Sequence, residues 1–336
     1  MLNSNYNAFL SFIEGKKILI TTHDLVDIDG LASCYTLKFF LVEYVKILNV
    51  TILLSELSKP TKNFMKRFIE KFPNFKFEFE NKVDYSNYDL CILVDAGNLG
   101  QLRFDDKKGA SLEIPFIIID HHHYIEENLE KHNIDKFNLI DDNSSSTAEI
   151  LLRLFKYFNQ LLTTPYKYLI ISGILIDSGY FRYGSNETVK NVSYLIGEDV
   201  NFQDFQLLLK NEIHISEKIA KIKGLKRVDL IRKGDYLIGT SNVSSFGASV
   251  ASMLIKIGFD ISIVFSKEKN KNIINTRADK NVCLKTGLHL GKLLEETSKS
   301  WNSIGGGHEG AASLTVTTNS IDKVLNDVVE RIKQFL

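Results

Sequence analysis

The residue types with metal and phosphate chemistry fall into four short clusters. The stretch HDLVDIDG carries His23, Asp24, Asp27 and Asp29 within seven residues. CILVD ends in Asp95, and IIIDHHHY places Asp120 directly before His121, His122 and His123, three of the chain's eight histidines. GILIDSG brings Asp177. A single aspartate after a strand is commonly only the N-cap of the next helix, and a single histidine is commonly a satisfied surface or core residue. Four segment ends that all carry carboxylate or imidazole are a different matter. Gathered without compensation, these carboxylates would repel one another and take up protons, and a bound cation is the economical remedy. A set rich in carboxylates, with about one imidazole per ion and no thiolate, suits Mn²⁺ or Mg²⁺ better than structural Zn²⁺. Seven ligand positions with one bridging carboxylate would hold two ions. Such pairs, roughly 3.5–4 Å apart, stabilise the attacking and leaving oxygens of a phosphoryl displacement and acidify a water between them.

The elements that must position these residues are legible from periodicity. KILITT, VTILLSE, YDLCILVDA, PFIIID and FNLIDD read as strands apolar on both faces, the pattern of a parallel sheet covered by helices. LASCYTLKFFLVEYVKIL, KNFMKRFIEKF and TAEILLRLFKYFNQLL space apolar residues three and four apart, as helices packing on that sheet would. Pro165 suits the first turn of a further helix, whose end brings Asp177. In an open parallel sheet ligands bind beyond the carboxyl ends of the strands, so this topology delivers all four clusters to one edge. Residues 191–228 read as helix and connector without a strong strand, and we take them as a helical linker. From 229 to 336 a smaller α/β domain follows, with strands at DYLIGTSNV, DISIVFSKE, KNIINTRAD and AASLTVTT and helical patterns among them. The fold class expected is α/β, an open and mostly parallel sheet followed by a smaller α/β domain.

H-x-x-x-D-x-D at 23–29, Asp95 after an apolar strand, D-H-H at 120–122 and G-I-L-I-D-S-G at 173–179 resemble the four successive motifs of the DHH phosphoesterase superfamily. G-G-G-H at 305–308, followed by EGAAS, resembles the signature of the DHHA1 domain that accompanies the catalytic domain in the branch degrading oligonucleotides and dephosphorylating nucleotides. Many members have proline where this chain has Val26, a change that removes no ligand. The resemblance implies a DHH catalytic domain over 1–190 and a DHHA1 substrate-binding domain over 229–336. It implies that His23, Asp27 and Asp95 hold one Mn²⁺, with Mg²⁺ as the alternative ion. Asp29, Asp95, His121 and Asp177 would hold a second, with Asp95 bridging. Asp120 is then free to orient an imidazole, as carboxylates behind metal-bound histidines do. His122 would face the substrate and donate a hydrogen bond or a proton to it. His123 has no role in the pattern, and Asp24 reads as a local cap. Arg277 matches the arginine that grips a phosphate, where a guanidinium fork serves better than lysine. Gly305, Gly306 and Gly307 read as a loop whose backbone N–H groups approach an anion closely, with His308 at its end to bind or protonate a phosphate oxygen.

Composition narrows the substrate. Lys+Arg and Asp+Glu balance at 41 each, so the chain lacks the basic excess that long-strand nucleic-acid binding or membrane attachment calls for. Cys34, Cys91 and Cys283 are far apart, which argues against a disulfide framework and for a reducing cytoplasm. The apolar run LIISGILI is too short to span a bilayer. The expected activity is that of the compact nanoRNase type: hydrolysis of short oligonucleotides, of 3'-phosphoadenosine 5'-phosphate, or of both. Cyclic or linear dinucleotides and single-stranded DNA are neighbouring substrates. A different class of reading is a replication or repair scaffold that keeps the fold without activity, yet every ligand position is intact. The sequence leaves open a homodimer.

Overall fold

The computed structural model describes every residue except 1, 98–100, 105–106, 109–113, 123–133, 135–136, 211–212, 269–270 and 318–319. The chain forms two compact units, Met1–Asn211 and Glu212–Leu336.

The first unit begins with α1 (Leu2–Ile13), β1 (Ile18–Thr21) and β2 (Leu25–Val26), then α2 (Ile28–Phe40). It continues through β3 (Val50–Leu53), β4 (Glu56–Leu57), α3 (Lys59–Lys71), β5 (Leu90–Val94), β6 (Arg103–Phe104), β7 (Lys107–Lys108), β8 (Phe116–Asp120) and β9 (Leu139–Ile140). It closes with α4 (Thr147–Tyr157), α5 (Thr164–Asp177), α6 (Asn186–Leu195) and α7 (Asp204–Leu208). The main sheet has the order β3-β1-β5-β8-β9, and every pairing in it is parallel. β1, β5 and β8 are buried along their whole length, as their continuous apolar runs require. Alternate side chains serve two cores. Ile18, Ile20, Leu90, Ile92, Val94, Ile117 and Ile119 pack with residues of α1 to α5. Leu19, Cys91, Leu93, Phe116 and Ile118 face the other way, where Leu102, Val83, Tyr85 and Tyr88 cover them from connecting segments. Among the described residues this second face is covered by connecting segments. The sequence 78–89 carries scattered aromatics that do this without helical periodicity.

The second unit comprises α8 (Ile215–Lys226), β10 (Asp229–Lys233), β11 (Tyr236–Val243), α9 (Gly247–Lys256), β12 (Ile261–Glu268), β13 (Lys271–Ala278), α10 (Lys280–Thr286), α11 (Leu290–Ser300), β14 (Ile304–His308), β15 (Ala311–Val316) and α12 (Ile321–Lys333). Its sheet runs β10-β11-β12-β13-β15-β14 and is mixed, with only β11 and β12 parallel. One face packs Ile263, Ile274 and Leu314 against Leu290, Leu294, Val324 and Val328 of α11 and α12. The other packs Val243 and Val264 against Ala220, Val250 and Leu254 of α8 and α9.

One expectation needs correction here. Gly305, Gly306 and Gly307 form an edge strand, β14, paired with β15, and not a loop. Glu309 and Gly310 turn the chain into β15, which starts at Ala311, as the pattern of AASLTVTT predicts. Glycine is a poor strand former, but here the missing side chains let a helix lie directly on the strand. A Cβ on Gly305 would come within 2.7 Å of the Leu294 carbonyl oxygen in α11. The three cysteines are free and buried. No helix among the described residues is long and apolar enough to cross a membrane.

Candidate active site

The site follows from strand register. Thr21 pairs with Leu93, and Leu93 pairs with Ile118. Two residues beyond each of these lie His23, Asp95 and Asp120, so three adjacent strands deliver them at one height, with neighbouring strands about 4.8 Å apart. The place is also where chain order reverses. β3 leaves β1 on one side and β5 on the other, which opens a crevice between β1 and β5 at their carboxyl ends.

Asp95 sits at the centre, 2% exposed, with its backbone in the left-handed region at φ 55°. Aspartate tolerates that conformation better than most residues, and such strain persists only where surrounding structure fixes it. Here its N–H donates to the Ile119 carbonyl at 2.9 Å, and Thr147 Oγ1 donates to its Oδ1 at 3.1 Å. His23 Nε2 lies 3.5 Å from Asp27 Oδ1 and 3.7 Å from Asp95 Oδ2. His121 Nε2 lies 3.6 Å from Asp95 Oδ1 and 3.2 Å from Asp177 Oδ2. Three groups therefore have ligand atoms close enough to share an ion: His23, Asp27 and Asp95; Asp29, Asp95, His121 and Asp177; and Asp95, Asp120, His121 and His122.

Asp27 and Asp29 stand two residues apart yet in opposite surroundings. Asp27 caps α2, its Oδ1 accepting from Gly30 N at 2.9 Å, and its side chain is 41% exposed. Burial opposes its ionisation, but His23 and the amides of Gly30 and Asp29 outweigh that and hold its carboxyl below the usual range. Asp29 is fully buried. Burial, with Asp95 and Asp177 nearby, pushes its carboxyl well above the usual range. Its oxygens accept from the N–H groups of Thr147 at 2.7 Å and Ala148 at 3.1 Å, the first turn of α4. A helix N-terminus is a ready anion site, so α4 holds Asp29 in place. Burial and the charges of Asp27 and Asp95 likewise raise Asp177, although His121 works against them.

Asp120 behaves differently from these. Its Oδ1 accepts from the N–H groups of His121 at 2.8 Å and His122 at 3.2 Å and meets His122 Nδ1 at 2.8 Å. That contact fixes the His122 ring, whose side chain is 53% exposed, and leaves Nε2 as its outward nitrogen. The Asp120 bond comes first in raising His122 to about 9, against the effect of burial. Burial would depress His23, but its contacts with Asp27 and Asp95 push it up to about 10.

The donor set fits divalent cations. Asp120 Oδ2 and Thr22 Oγ1 are buried without a hydrogen-bond partner among the described residues, while His121 Nε2 faces carboxylate oxygens of Asp95 and Asp177. A buried, orphaned carboxylate oxygen is costly unless something binds it. A hard cation would also relieve the mutual repulsion that raises Asp29 and Asp177.

His23, Asp27, Asp29, Asp95, Asp120, His121, His122 and Asp177 are thus brought together, while His123 lies outside the described residues. Asp24 is not in these groups. Its N–H donates to the Gln101 carbonyl and its own carbonyl accepts from Glu56 N. Arg277, Gly305, Gly306, Gly307 and His308 belong to the second unit. Arg277 is in β13, where its Nη1 donates to the Thr276 carbonyl at 2.9 Å, and His308 ends β14. Sequence reasoning missed Thr147 and Ala148. The available signal was SSSTAE, a serine cap with glutamate three residues on, which marks a helix start.

Residues 17–174 match the model of the DHH family, N-terminal domain, and residues 246–336 match that of the DHHA1 domain. The "Uncharacterized protein MJ0988" of Methanocaldococcus jannaschii is 28% identical over 330 residues, spanning 95% of this chain and 94% of that protein. Among solved structures, an exopolyphosphatase-related protein from Bacteroides fragilis shares the fold, with a TM-score of 0.68 and 18% identity over 98% of this chain and 97% of that one. RecJ in complex with Mn²⁺ from Thermus thermophilus aligns with a TM-score of 0.49 and 15% identity, over 100% of this chain and 55% of its own.

Proposed function

Because this chain belongs to the DHH/DHHA1 phosphoesterase superfamily, we propose that it is a two-metal hydrolase of short oligonucleotides, of 3'-phosphoadenosine 5'-phosphate, or of both, working with Mn²⁺. One observation carries the reading: two ligand groups share Asp95, and the His121 imidazole stands between carboxylate oxygens of Asp95 and Asp177. His23, Asp27 and Asp95 would hold one ion, and Asp29, Asp95, His121 and Asp177 the other. Such a pair supplies charge neutralisation at phosphoryl oxygens and activates a water. The remaining steps fall to the protein. Thr147 and the first turn of α4 keep Asp95 and Asp29 in place, so the ligands need little reorganisation when substrate arrives. Asp120 locks the His122 ring so that its outward Nε2 donates to the leaving oxygen. In the second unit, Arg277, His308 and the backbone of Gly305, Gly306 and Gly307 would take a substrate phosphate. As the outer strand of its sheet among the described residues, β14 leaves one row of backbone groups facing away from β15, and glycine lets an anion come close to them.

The balanced net charge supports short substrates, because long single strands call for a basic groove. The test is Mn²⁺-dependent release of mononucleotide from a 5'-labelled RNA ladder of about two to twenty nucleotides, with 3'-phosphoadenosine 5'-phosphate in parallel. Rapid loss of only the shortest species, abolished in Asp95→Asn, is the expected result. Degradation of long strands would overturn the substrate reading, and preferential turnover of cyclic dinucleotides would move it to that class. Metal binding without turnover of any of these would favour a scaffold.

A further inference from the structure

Beside the ligand cluster, within the first unit, lies a cleft of about 230 Å³ that shares only Asp27 with the metal ligands. Asp27, Ser58, Pro60, Ile176, Leu209 and Lys210 line it. Its size falls below the roughly 300 Å³ at which pockets for larger ligands begin, so it suits a single ring system. Its walls are mostly carbon, from Pro60, Ile176 and Leu209. Polar side chains in the lining are few: Asp27, Ser58, Thr61 and Lys210. A phosphate would meet a carboxylate and apolar side chains there, and a sugar would leave most of its hydroxyls unpaired. A flat heteroaromatic ring matches, with faces that need apolar contact and an edge that needs two or three polar partners.

The cleft is preformed. Leu209 is only 6% exposed, and Arg67 on α3 donates to the carbonyls of Lys210 at 2.6 Å and Leu208 at 3.4 Å, tying that wall to the helix that supplies Pro60. Ser58 caps the same helix, its Oγ accepting from Thr61 N at 3.3 Å and lying 2.8 Å from Thr61 Oγ1. Asp27 belongs both to this lining and to the group with His23 and Asp95, and Ile176 precedes Asp177. A phosphate held at those ligands would therefore carry its attached nucleoside into the cleft.

Resting on the hydrolase reading above, we propose that this cleft is a binding site for one nucleobase of the substrate, the base attached to the scissile phosphate. The site selects a base-bearing phosphoester over simpler phosphates without reading the base finely, since a few polar atoms set only orientation.

The test pairs a substrate change with a protein change. Wild type and Pro60→Trp are compared on adenylyl-adenosine and on its two singly abasic analogues. Pro60 is exposed, so tryptophan enters the cleft from the rim, and Leu209→Phe narrows it from another wall. For wild type, one abasic analogue should lose at least about tenfold in kcat/KM. Either variant should lose a similar factor on the intact dinucleotide and little more on that analogue. Equal losses on all three substrates, or no preference for the base in wild type, would overturn the proposal. Calorimetric titration of wild type and variants with adenosine 5'-monophosphate and ribose 5-phosphate in Mg²⁺ decides the point independently of turnover. The proposal requires the nucleotide to bind at least about tenfold more tightly in wild type, with the difference lost in both variants. A wild type that turns nothing over but shows this preference refutes the hydrolase reading alone.

Discussion

At the carboxyl edge of β1, β5 and β8, Asp29, Asp95, Asp120, His121 and Asp177 crowd one another with little access to water. Along β14, by contrast, Gly305, Gly306 and Gly307 present backbone and almost nothing else. The first region makes its surface from charges that would repel were they not anchored. Asp29 is gripped by α4, Asp95 by Thr147, and Asp120 by two amides and an imidazole. The second makes its surface by omission. Gly307 sits at φ 149°, and a Cβ there would come within 2.5 Å of the Ala311 carbonyl oxygen. A site of anchored charges suits a permanently bound cation, whereas a bare strand edge suits a ligand that comes and goes. The two should therefore fail differently.

The largest effect is expected at Asp95. Asp95→Asn keeps a residue that tolerates the left-handed backbone while removing the charge common to all three ligand groups. Hydrolysis should fall by about 10³-fold or more, and calorimetric titration with Mn²⁺ should show weakened binding while the melting temperature of the metal-free protein holds or rises. Wild-type Mn²⁺ affinity in this variant would remove Asp95 from the centre of the site.

A pair of glycine substitutions separates the regions next. A Cβ on Gly173, in α5, would collide with Asp29 Oδ1 and reach 3.0 Å from the Ala148 Cβ. Gly173→Ala should cost about 1–3 kcal/mol in stability and weaken Mn²⁺ binding by roughly 10- to 100-fold, since it displaces a ligand and the helix start that holds it. Gly307→Ala should cost a similar amount through backbone strain and the clash with Ala311, yet leave Mn²⁺ affinity unchanged. Should Gly307→Ala weaken the metal as much as Gly173→Ala, the contrast between the regions would be wrong.

Protons offer a graded test. In the metal-free protein His23 is held up to about 10 and His122 to about 9. Because these values lie above the ordinary one near 6.5, the stabilisation they bring is fully present below about pH 6.5 and is lost as pH climbs through 9 to 10. The metal-free melting temperature should fall across that range. Mn²⁺ competes with the proton on His23, so its affinity should rise with pH over the same window, by at most about tenfold per unit for each proton displaced. Titrations in two buffers of different ionisation enthalpy at pH 7 would count the protons released. A count of zero would remove His23 from the ligands.

Much of this could be read in the sequence, for a physical reason. Strands buried on both faces are written as unbroken apolar runs, and His23, Asp95 and Asp120 each follow such a run, so strand ends and ligand candidates marked one another. What stayed hidden depends on contacts across long stretches of chain. The amides holding Asp29 lie 118 and 119 residues away, and the Asp95 contact with Thr147 spans 52. Nothing local at Thr147 distinguishes it from any other first-turn threonine. The strand at Gly305–Gly307 was hidden for the opposite reason, since Gly305 answers to the close approach of α11 and Gly307 to that of β15, and not to strand propensity.

The smallest effect tests whether α4 is more than a scaffold. Ser146 caps that helix, its Oγ accepting from Glu149 N at 3.2 Å, and Asp279 caps α10 in the second unit, accepting from Asn281 N at 2.8 Å. Ser146→Ala and Asp279→Ala should each cost about 1 kcal/mol by chemical denaturation, because each leaves a first-turn amide without its cap. Only the first should reach the metal. The Thr147 and Ala148 N–H groups that hold Asp29 belong to the turn that Ser146 starts, and a loosened turn lets that carboxylate wander from the position an ion needs. A several-fold loss of Mn²⁺ affinity in Ser146→Ala, with none in Asp279→Ala at matched stability, is the expected difference. Equal affinities in the two variants would mean that Asp29 is held by burial alone.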